Sequence, residues 1–355
     1  MARNADTPEL SVAVVVASKN GERTIADTVR SVAEQADVYV VSDGSTDGTA
    51  RAARDAGAIV LALAENVGKP AAIYKAIRTF RLTAHYDAIA ILDDDTVVDP
   101  DFVEQALRRM TRGVAIVVGR TLTNWRHENR WNLWLASRAY AYWRYQVTMR
   151  RAQSAFNVLN CISGSNSVYR SSVLEQVLVE RTPYIVDDTY WTLETHRRKL
   201  GRIVYAPQAR AHLQDPTTMR AWYKQNVRWL WGTFQGIRGH RCGLRRSWFD
   251  VAYLLQMGDW ALYVAGGPVA IALIAAGVWW NPLLIAIGTA VGYLAWTIPA
   301  AIALRKWRLV PLTPLLLLVD WLYRIVFLHA LVKAIRQPVV ASCAWESPPR
   351  YQGAG

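Results

Sequence analysis

Along the N-terminal part of the chain, short apolar runs alternate with stretches whose apolar positions recur at helical spacing. The first run, Val12–Ala17, stops at Ser18-Lys19-Asn20-Gly21. The pattern then predicts a helix from Thr24 to about Glu34, a strand over Val38–Ser42, a turn at Asp43-Gly44-Ser45, a helix over Thr49–Ala56 and a strand over Ala58–Leu63. A helix from about Pro70 to Thr83 leads into a strand at Ala88–Leu92. Runs this short and this apolar suit strands buried on both faces. Their alternation with helices predicts an α/β fold with a mostly parallel sheet and helical crossovers. Ligands on such sheets bind outside the carboxyl ends of the strands. Asn20, Asp43 and the triplet Asp93-Asp94-Asp95 all fall there.

Downstream the pattern changes. From about Gln256 to Trp280 the only charge is Asp259, and a second charge-poor segment runs from about Leu283 to Leu304. Each is long enough to span a bilayer. Arg305-Lys306-Trp307-Arg308 supplies the positive flank expected on the cytoplasmic side, with Asn281-Pro282 as a short turn on the other. A third stretch, about Pro311 to Ile335, is apolar but carries Asp320, Arg324, His329 and Lys333. It reads either as a span or as a helix lying flat at the interface, and Asp320 and Arg324 stand one helical turn apart, close enough to pair. Met1 to Leu10 is polar and Val12–Ala17 is too short for a signal-peptide core. The expected organisation is a globular region over 1–240, a membrane region of two to three helices over 241–335 and a tail over 336–355.

Composition sharpens this. With 52% hydrophobic and 19% charged residues over 355 positions, the chain is not disordered. Its net charge of +13 points to an anionic partner, and 16 Trp against 6 Phe leans towards a membrane–water boundary. Cys161, Cys242 and Cys343 are too few and too scattered for a disulfide scaffold or a zinc module. Trp125, Trp131, Trp134 and Trp143 interleave with Arg126, Arg130, Arg138 and Arg144. Such a stripe can stack on single-stranded nucleic acid or lie along an anionic membrane surface. The apolar segments that follow favour membrane lipids as the partner, without nucleic acid.

Several familiar motifs fail. Asp43-Gly44-Ser45-Thr46-Asp47-Gly48 opens like a calcium loop, but its twelfth position is Arg54 instead of Glu. Gly68-Lys69 lacks the first glycine and the Ser/Thr of a phosphate loop, since Leu63 and Pro70 stand there. No G-x-G-x-x-G follows the first strand. The acidic triplet remains. Adjacent carboxylates at the end of a buried strand raise one another's pKa unless a cation is present. A hard divalent ion takes one or two of them and completes its shell from phosphate and water.

The ordered set of these segments resembles a family 2 glycosyltransferase over about residues 10–240. Ala17-Ser18-Lys19-Asn20-Gly21-Glu22 stands where such enzymes open their nucleotide site, Asp43-Gly44-Ser45-Thr46-Asp47 where an Asp holds the uridine, and Asn66-Val67-Gly68-Lys69-Pro70 where a Lys approaches the nucleotide. Asp93-Asp94-Asp95 is similar to the D-x-D motif, with Asp93 near the nucleotide and Asp95 closest to the metal. Gln153-Ser154-Ala155-Phe156 with Asn160-Cys161-Ile162-Ser163-Gly164-Ser165 resembles the acceptor region of hyaluronan synthases, with Tyr169-Arg170 completing it. Val186-Asp187-Asp188-Thr189 looks like the Gly-Asp-Asp of that group, and Gln225-Asn226-Val227-Arg228-Trp229 matches the Q-x-x-R-W of the hyaluronan, chitin and cellulose synthases. Val186 stands in place of Gly, and Lys19 in place of an aromatic.

The resemblance implies a GT-A fold followed by C-terminal membrane helices, a UDP-sugar donor and Mn²⁺ or Mg²⁺ on Asp95. It implies Asp188 as the catalytic base, and a donor site from Ala17, Asn20, Glu22, Asp43, Lys69, Asp93, Gln225, Arg228 and Trp229. Gly164, Ser165, Asn166, Asp187 and Trp229 would meet the acceptor. Segments 125–150 and 215–240 would form the acceptor-side and interfacial parts. The expected enzyme is membrane-bound with its catalytic domain facing the cytoplasm. It would extend a polysaccharide, or alternatively add one sugar to a lipid-linked or short glycan, with association of protomers as a further expectation. A non-catalytic membrane scaffold is the competing class, and it leaves Asp93–Asp95, Asp188 and Gln225–Trp229 unexplained.

Overall fold

The computed structural model describes residues 10–125, 129–278 and 280–340. Its N-terminal half runs β1 (Val12–Ser18), α1 (Ile25–Val32), β2 (Asp37–Asp43), α2 (Thr49–Asp55), β3 (Ile59–Leu63), α3 (Lys69–Thr79), α4 (Leu82–His85) and β4 (Ala88–Asp93). These elements follow the apolar pattern. The expected helix from Pro70 to Thr83 is interrupted, because Arg81 turns left-handed with φ +52° and separates α3 from α4.

The chain continues through β5 (Val97–Val98), α5 (Phe102–Leu107), β6 (Val114–Thr123), α6 (Leu133–Tyr145), a π-helical turn at Gln146–Arg150 and α7 (Arg151–Ala155). Then come β7 (Asn166–Arg170), α8 (Ser171–Val177), α9 (Asp187–Arg197), β8 (Arg202–Leu213) and α10 (Met219–Gly239). Among the described residues the eight strands form one sheet in the order β3-β2-β1-β4-β7-β6-β8-β5. β1, β2, β3 and β4 pair in parallel, while β7 runs antiparallel to β4 and β6. The strand order reverses between β1 and β4, where Ala17 faces Asp93 across the ladder. In open α/β sheets that reversal opens the ligand crevice.

Both faces of the sheet are covered. Val14 and Val16 pack with α1 and α5 on one side, while Ala13 and Val15 pack with α3, α8 and α9 on the other. That double burial explains the unbroken apolar runs.

Three helices end the fold: α11 (Trp248–Ala275), α12 (Trp280–Leu304) and α13 (Thr313–Arg336). All three are long and apolar enough to cross a membrane, and 6%, 12% and 28% of their apolar windows is buried within the chain. Asp320 and Arg324 do pair, at 3.0 Å. The turn expected at Asn281-Pro282 falls inside the first turn of α12, where proline is tolerated, and the chain reverses earlier, at 276–278.

The basic aromatic stripe is not a surface belt. Trp125 and Trp143 are buried in a cluster that joins α6 to α12 and α13 through Leu135, Ala300 and Leu316, and Arg138 is buried too. Trp131 stays exposed, and Arg126 lies outside the described residues, as does Cys343. The apolar face of the stripe is needed to seat α6 against the apolar helices, so only part of it meets solvent.

α10 lies between the two halves. Trp222, Trp231 and Phe234 share a cluster with Val319, Val326 and Phe327 of α13. On its other side, Gly232 lets α10 approach Val186: a Cβ there would stand 2.5 Å from Val186 Cγ2. Val186 is thus the partner of a glycine across the interface. Gly232→Ala is expected to cost about 1–3 kcal/mol through overpacking, read as a lowered melting temperature in detergent. Val186→Gly on the same background should recover part of the loss.

Candidate active site

A cavity of about 1020 Å³ opens at the carboxyl ends of β1, β2 and β4 and continues to α11, α12 and α13. Ala17, Asp43, Lys69 and Asp93–Asp95 line its sheet end. Asp43 ends β2 and is buried, and its carboxylate accepts the backbone N–H groups of Val67 (2.7 Å) and Gly68 (2.9 Å). Gly68 takes φ +88°, a conformation that suits glycine, and it delivers Lys69 to the start of α3. Asp43 therefore shapes the Lys69 loop. Asn20 and Glu22 lie outside the cavity lining, on the loop after β1. Asn20 Oδ1 accepts Thr46 N–H at 2.9 Å, and Glu22 N–H donates to Asp47 at 3.2 Å. Both brace the Asp43–Asp47 segment.

Lys69 is the centre of the charge arrangement. Its Nζ donates to Asp93 and, at 3.0 Å, to the Gly164 carbonyl oxygen. Burial alone would lower its pKa, but Asp93, Asp187 and Asp188 together hold it above its ordinary value. Gly164 N–H in turn donates to Asp188 Oδ2 at 3.2 Å. Gly164 thus couples the cation of α3 to the carboxylate of α9. Ser165 lines the cavity beside it, whereas Asn166 is fully buried in β7 with its amide donating to Thr121 at 3.2 Å.

Asp187 and Asp188 open α9, where the helix dipole favours negative charge. Burial nevertheless raises the Asp188 pKa well above the carboxylate range, to about 7, with the Asp187 charge adding to it and Lys69 and Arg228 opposing. A carboxylate poised near neutrality suits proton abstraction.

The acidic triplet is not a three-ligand cage. Asp93 is engaged by Lys69, and Asp94 accepts the Ser18 hydroxyl at 2.7 Å. No group of three or more His, Cys, Asp or Glu among the described residues converges on one metal position. Asp95 lines the cavity, buried, at the end of this series. One carboxylate on the cavity wall fits Mg²⁺ or Mn²⁺, which draw most of their ligands from phosphate and water.

Gln225, Arg228 and Trp229 line the cavity from α10. The residue that fixes them stands in the sequence only as one member of the basic aromatic stripe. Arg138 of α6 donates to Gln225 at 2.6 Å and to Asn226 at 3.2 Å, lies 4.5 Å over the Trp229 ring, and stands 3.4 Å from Asp215. Tyr142 also donates to Asp215 at 3.2 Å. Burial raises the Asp215 pKa to about 6 against the Arg138 charge. A cation in the middle of an apolar helical stretch, and an acid just before the Q-x-x-R-W helix, were the available signals.

A sequence profile described as "Glycosyltransferase like family 2" matches residues 8–232, well over half of the chain. The chain belongs to this family. The family 2 chain is 28% identical over 250 residues to a poly-β-1,6-N-acetyl-D-glucosamine synthase of Staphylococcus aureus (strain COL), covering 68% of this chain and 57% of the relative. It is 29% identical over 250 residues to an N-acetylglucosaminyltransferase of Mesorhizobium japonicum, covering 64% and 57%. The match thus spans 57% of the length of these relatives. Among solved structures, the mannosyltransferase PcManGT from Pyrobaculum calidifontis, in complex with GDP-Man and Mn²⁺, superposes with a TM-score of 0.62 at 19% identity. That likeness covers 93% of this chain and 88% of the other, and gives the family 2 chain a GT-A fold with apolar C-terminal helices.

Removing one partner of a buried ion pair costs on the order of 3–5 kcal/mol, because the other charge is left behind. Arg138→Met is therefore expected to lower the melting temperature sharply. Combining it with Asp215→Leu should cost less than the sum of the two single changes. Strict additivity in that double-mutant cycle would show that the two residues do not act as a pair.

Proposed function

We propose that this chain transfers a sugar from a UDP-sugar to a growing polysaccharide, with inversion at the anomeric carbon, at the cytoplasmic face of a membrane. The observation that carries this reading is the single cavity in which Asp188, Lys69–Asp93, Asp95 and the Arg228–Trp229 pair meet, beside helices able to span a bilayer. The acceptor hydroxyl gives its proton to Asp188, and its oxygen bonds to the anomeric carbon as the bond to the diphosphate breaks and UDP leaves. Lys69 and Arg228 hold charge near the departing phosphates. Mg²⁺ or Mn²⁺, when bound at Asp95, supplies further electrostatic stabilisation of that charge. Trp229, fixed beneath Arg138, offers a flat face to a sugar ring.

The names of both relatives make N-acetylglucosamine the first donor sugar to test. A second reading, one sugar added to a lipid-linked or short acceptor, is favoured by the apolar side chains at the far end of the cavity, Leu316, Val319 and Phe327.

The deciding experiment measures UDP release from UDP-N-acetylglucosamine, UDP-glucose and UDP-glucuronate in membranes holding the protein, with products sized at high enzyme dilution. Long polymers beside untouched acceptor support polymerisation, whereas one added sugar on every acceptor supports the second reading. No UDP release from any donor would leave the scaffold class. Asp188→Asn should lower transfer about 10²–10⁴-fold with UDP affinity retained. The wild-type rate should rise with pH as Asp188 loses its proton near 7 and level off above. A rate that falls across that range would rule out Asp188 as the base.

Metal dependence has its own check. EDTA should remove most activity and Mn²⁺ or Mg²⁺ should restore it, while Asp95→Asn should stay inactive at any metal concentration. Full turnover in chelator would remove the metal from the scheme.

A further inference from the structure

The stretch between α8 and α9, 178–186, contains neither helix nor strand, so its buried backbone groups need partners from elsewhere in the fold. This stretch delivers Asp187 and Asp188, and α9 starts at Val186 without a side-chain cap. The hold on it comes from behind. The N–H of Ile185, a buried residue just ahead of the two aspartates, donates to Gln235 Oε1 of α10 at 2.9 Å. Gln235 is itself 1% exposed.

The other end of the same amide reaches a different part of the chain. Gln235 Nε2 donates at 2.8 Å to the carbonyl oxygen of Gln337, the residue that follows α13. That carbonyl also accepts the Trp231 indole N–H at 3.1 Å, and Lys333 of α13 lies 4.4 Å over the Trp231 ring. Further on, the Val340 N–H donates to the Pro183 carbonyl oxygen at 3.1 Å. The segment 337–340 therefore crosses α10 and meets the loop that carries the aspartates. An amide side chain can accept from one peptide while donating to another, whereas a carboxylate only accepts. Gln235, Gln337 and Val340 all stand outside the cavity lining, so none of them is placed to touch a substrate.

We propose that Gln235 is a positioning residue for the base, holding the Asp187–Asp188 end of α9 to a strap, 337–340, that follows the last apolar helix. The inference rests on the reading of Asp188 as the base given above. It makes the end of α13 part of the catalytic geometry through two hydrogen bonds of one buried side chain.

The test uses the full chain, in membranes for turnover of UDP-N-acetylglucosamine and in detergent for amide hydrogen exchange, read by mass spectrometry at Ile185 and Val340. Gln235→Met keeps the length of the side chain and loses both bonds. It should lower kcat by about tenfold or more, with the donor KM little changed, and lose protection at both amides. The midpoint of its pH–rate profile should fall below the wild-type value of about 7, because burial raises the Asp188 pKa and a freed loop admits water. Gln235→Glu keeps an acceptor for Ile185 and drops the donor. It should keep protection at Ile185, lose it at Val340 and turn over faster than Gln235→Met.

A folded Gln235→Met with wild-type kcat and an unmoved pH midpoint overturns the proposal. A donor KM raised as far as kcat is lowered overturns it too, because the damage would then lie on the nucleotide side. Should Gln235→Met not fold, Gln235→Glu settles the matter. Full protection at Val340 in that variant removes the strap, and a kcat more than about tenfold down with Ile185 still protected removes the positioning role. No UDP release by wild type would sink the transferase reading, while the exchange pattern would still test the link from Ile185 through Gln235 to Val340.

Discussion

Five carboxylates from β4 and α9 line the cavity at the edge of a buried sheet, and the site depends on how their charge is held. Asp93, Asp94 and Asp95 come from the end of β4, and Asp187 and Asp188 from the start of α9. Left to themselves they would repel one another and take up protons. Lys69 meets Asp93 directly and reaches Asp188 through the Gly164 peptide, whose carbonyl accepts from Lys69 while its N–H donates to Asp188. One cation thereby links the β4 end of the cavity to the α9 end. Asp43, occupied with the backbone of Val67 and Gly68, sets where that cation starts.

α10 ties this arrangement to the apolar helices. It is pressed against Val186 on one side and against α13 on the other, and Arg138 locks Gln225, Asn226 and Trp229 in register with α6. α6 in turn packs on α12. The residues proposed to meet sugar and diphosphate are therefore carried by the same helices that seat the domain on its membrane-length elements. A shift of the apolar helices would be felt at Trp229 and Arg228 without passing through the sheet. This physical link joins the proposed chemistry to the membrane.

β1, β2 and β4 were legible because each is buried on both faces and must be apolar throughout, whereas β3, half-exposed at the sheet edge, showed as a short run of five apolar residues. α11 and α12 were legible because a span must be apolar over its whole length. β5 to β8 were not assigned from the pattern: β5 is two residues long, and β8 is bulged against β6, which blurs any alternation. The turn at 276–278 was misplaced to Asn281-Pro282, since a proline marks a helix start as readily as a break. Part of the stripe from Trp125 to Arg144 is buried, with Trp131, Arg130 and Arg144 left exposed, because a tryptophan that seats one helix on another has the same sequence signature as one at a lipid surface.

Local sequence marked the candidate residues: the Asp43 turn, Gly68-Lys69, the acidic triplet, Asp187-Asp188 and Q-x-x-R-W are contiguous motifs, and all of them reach one cavity. Sequence distance hid the partners. Lys69 and Gly164, Arg138 and Asp215, and Gly232 and Val186 are far apart along the chain, and each pair meets only once the sheet has closed and α10 has docked. Burial did the rest. The same side chains in water would keep ordinary pKa values and need no partners, so only the tertiary structure could raise Asp188 towards neutrality.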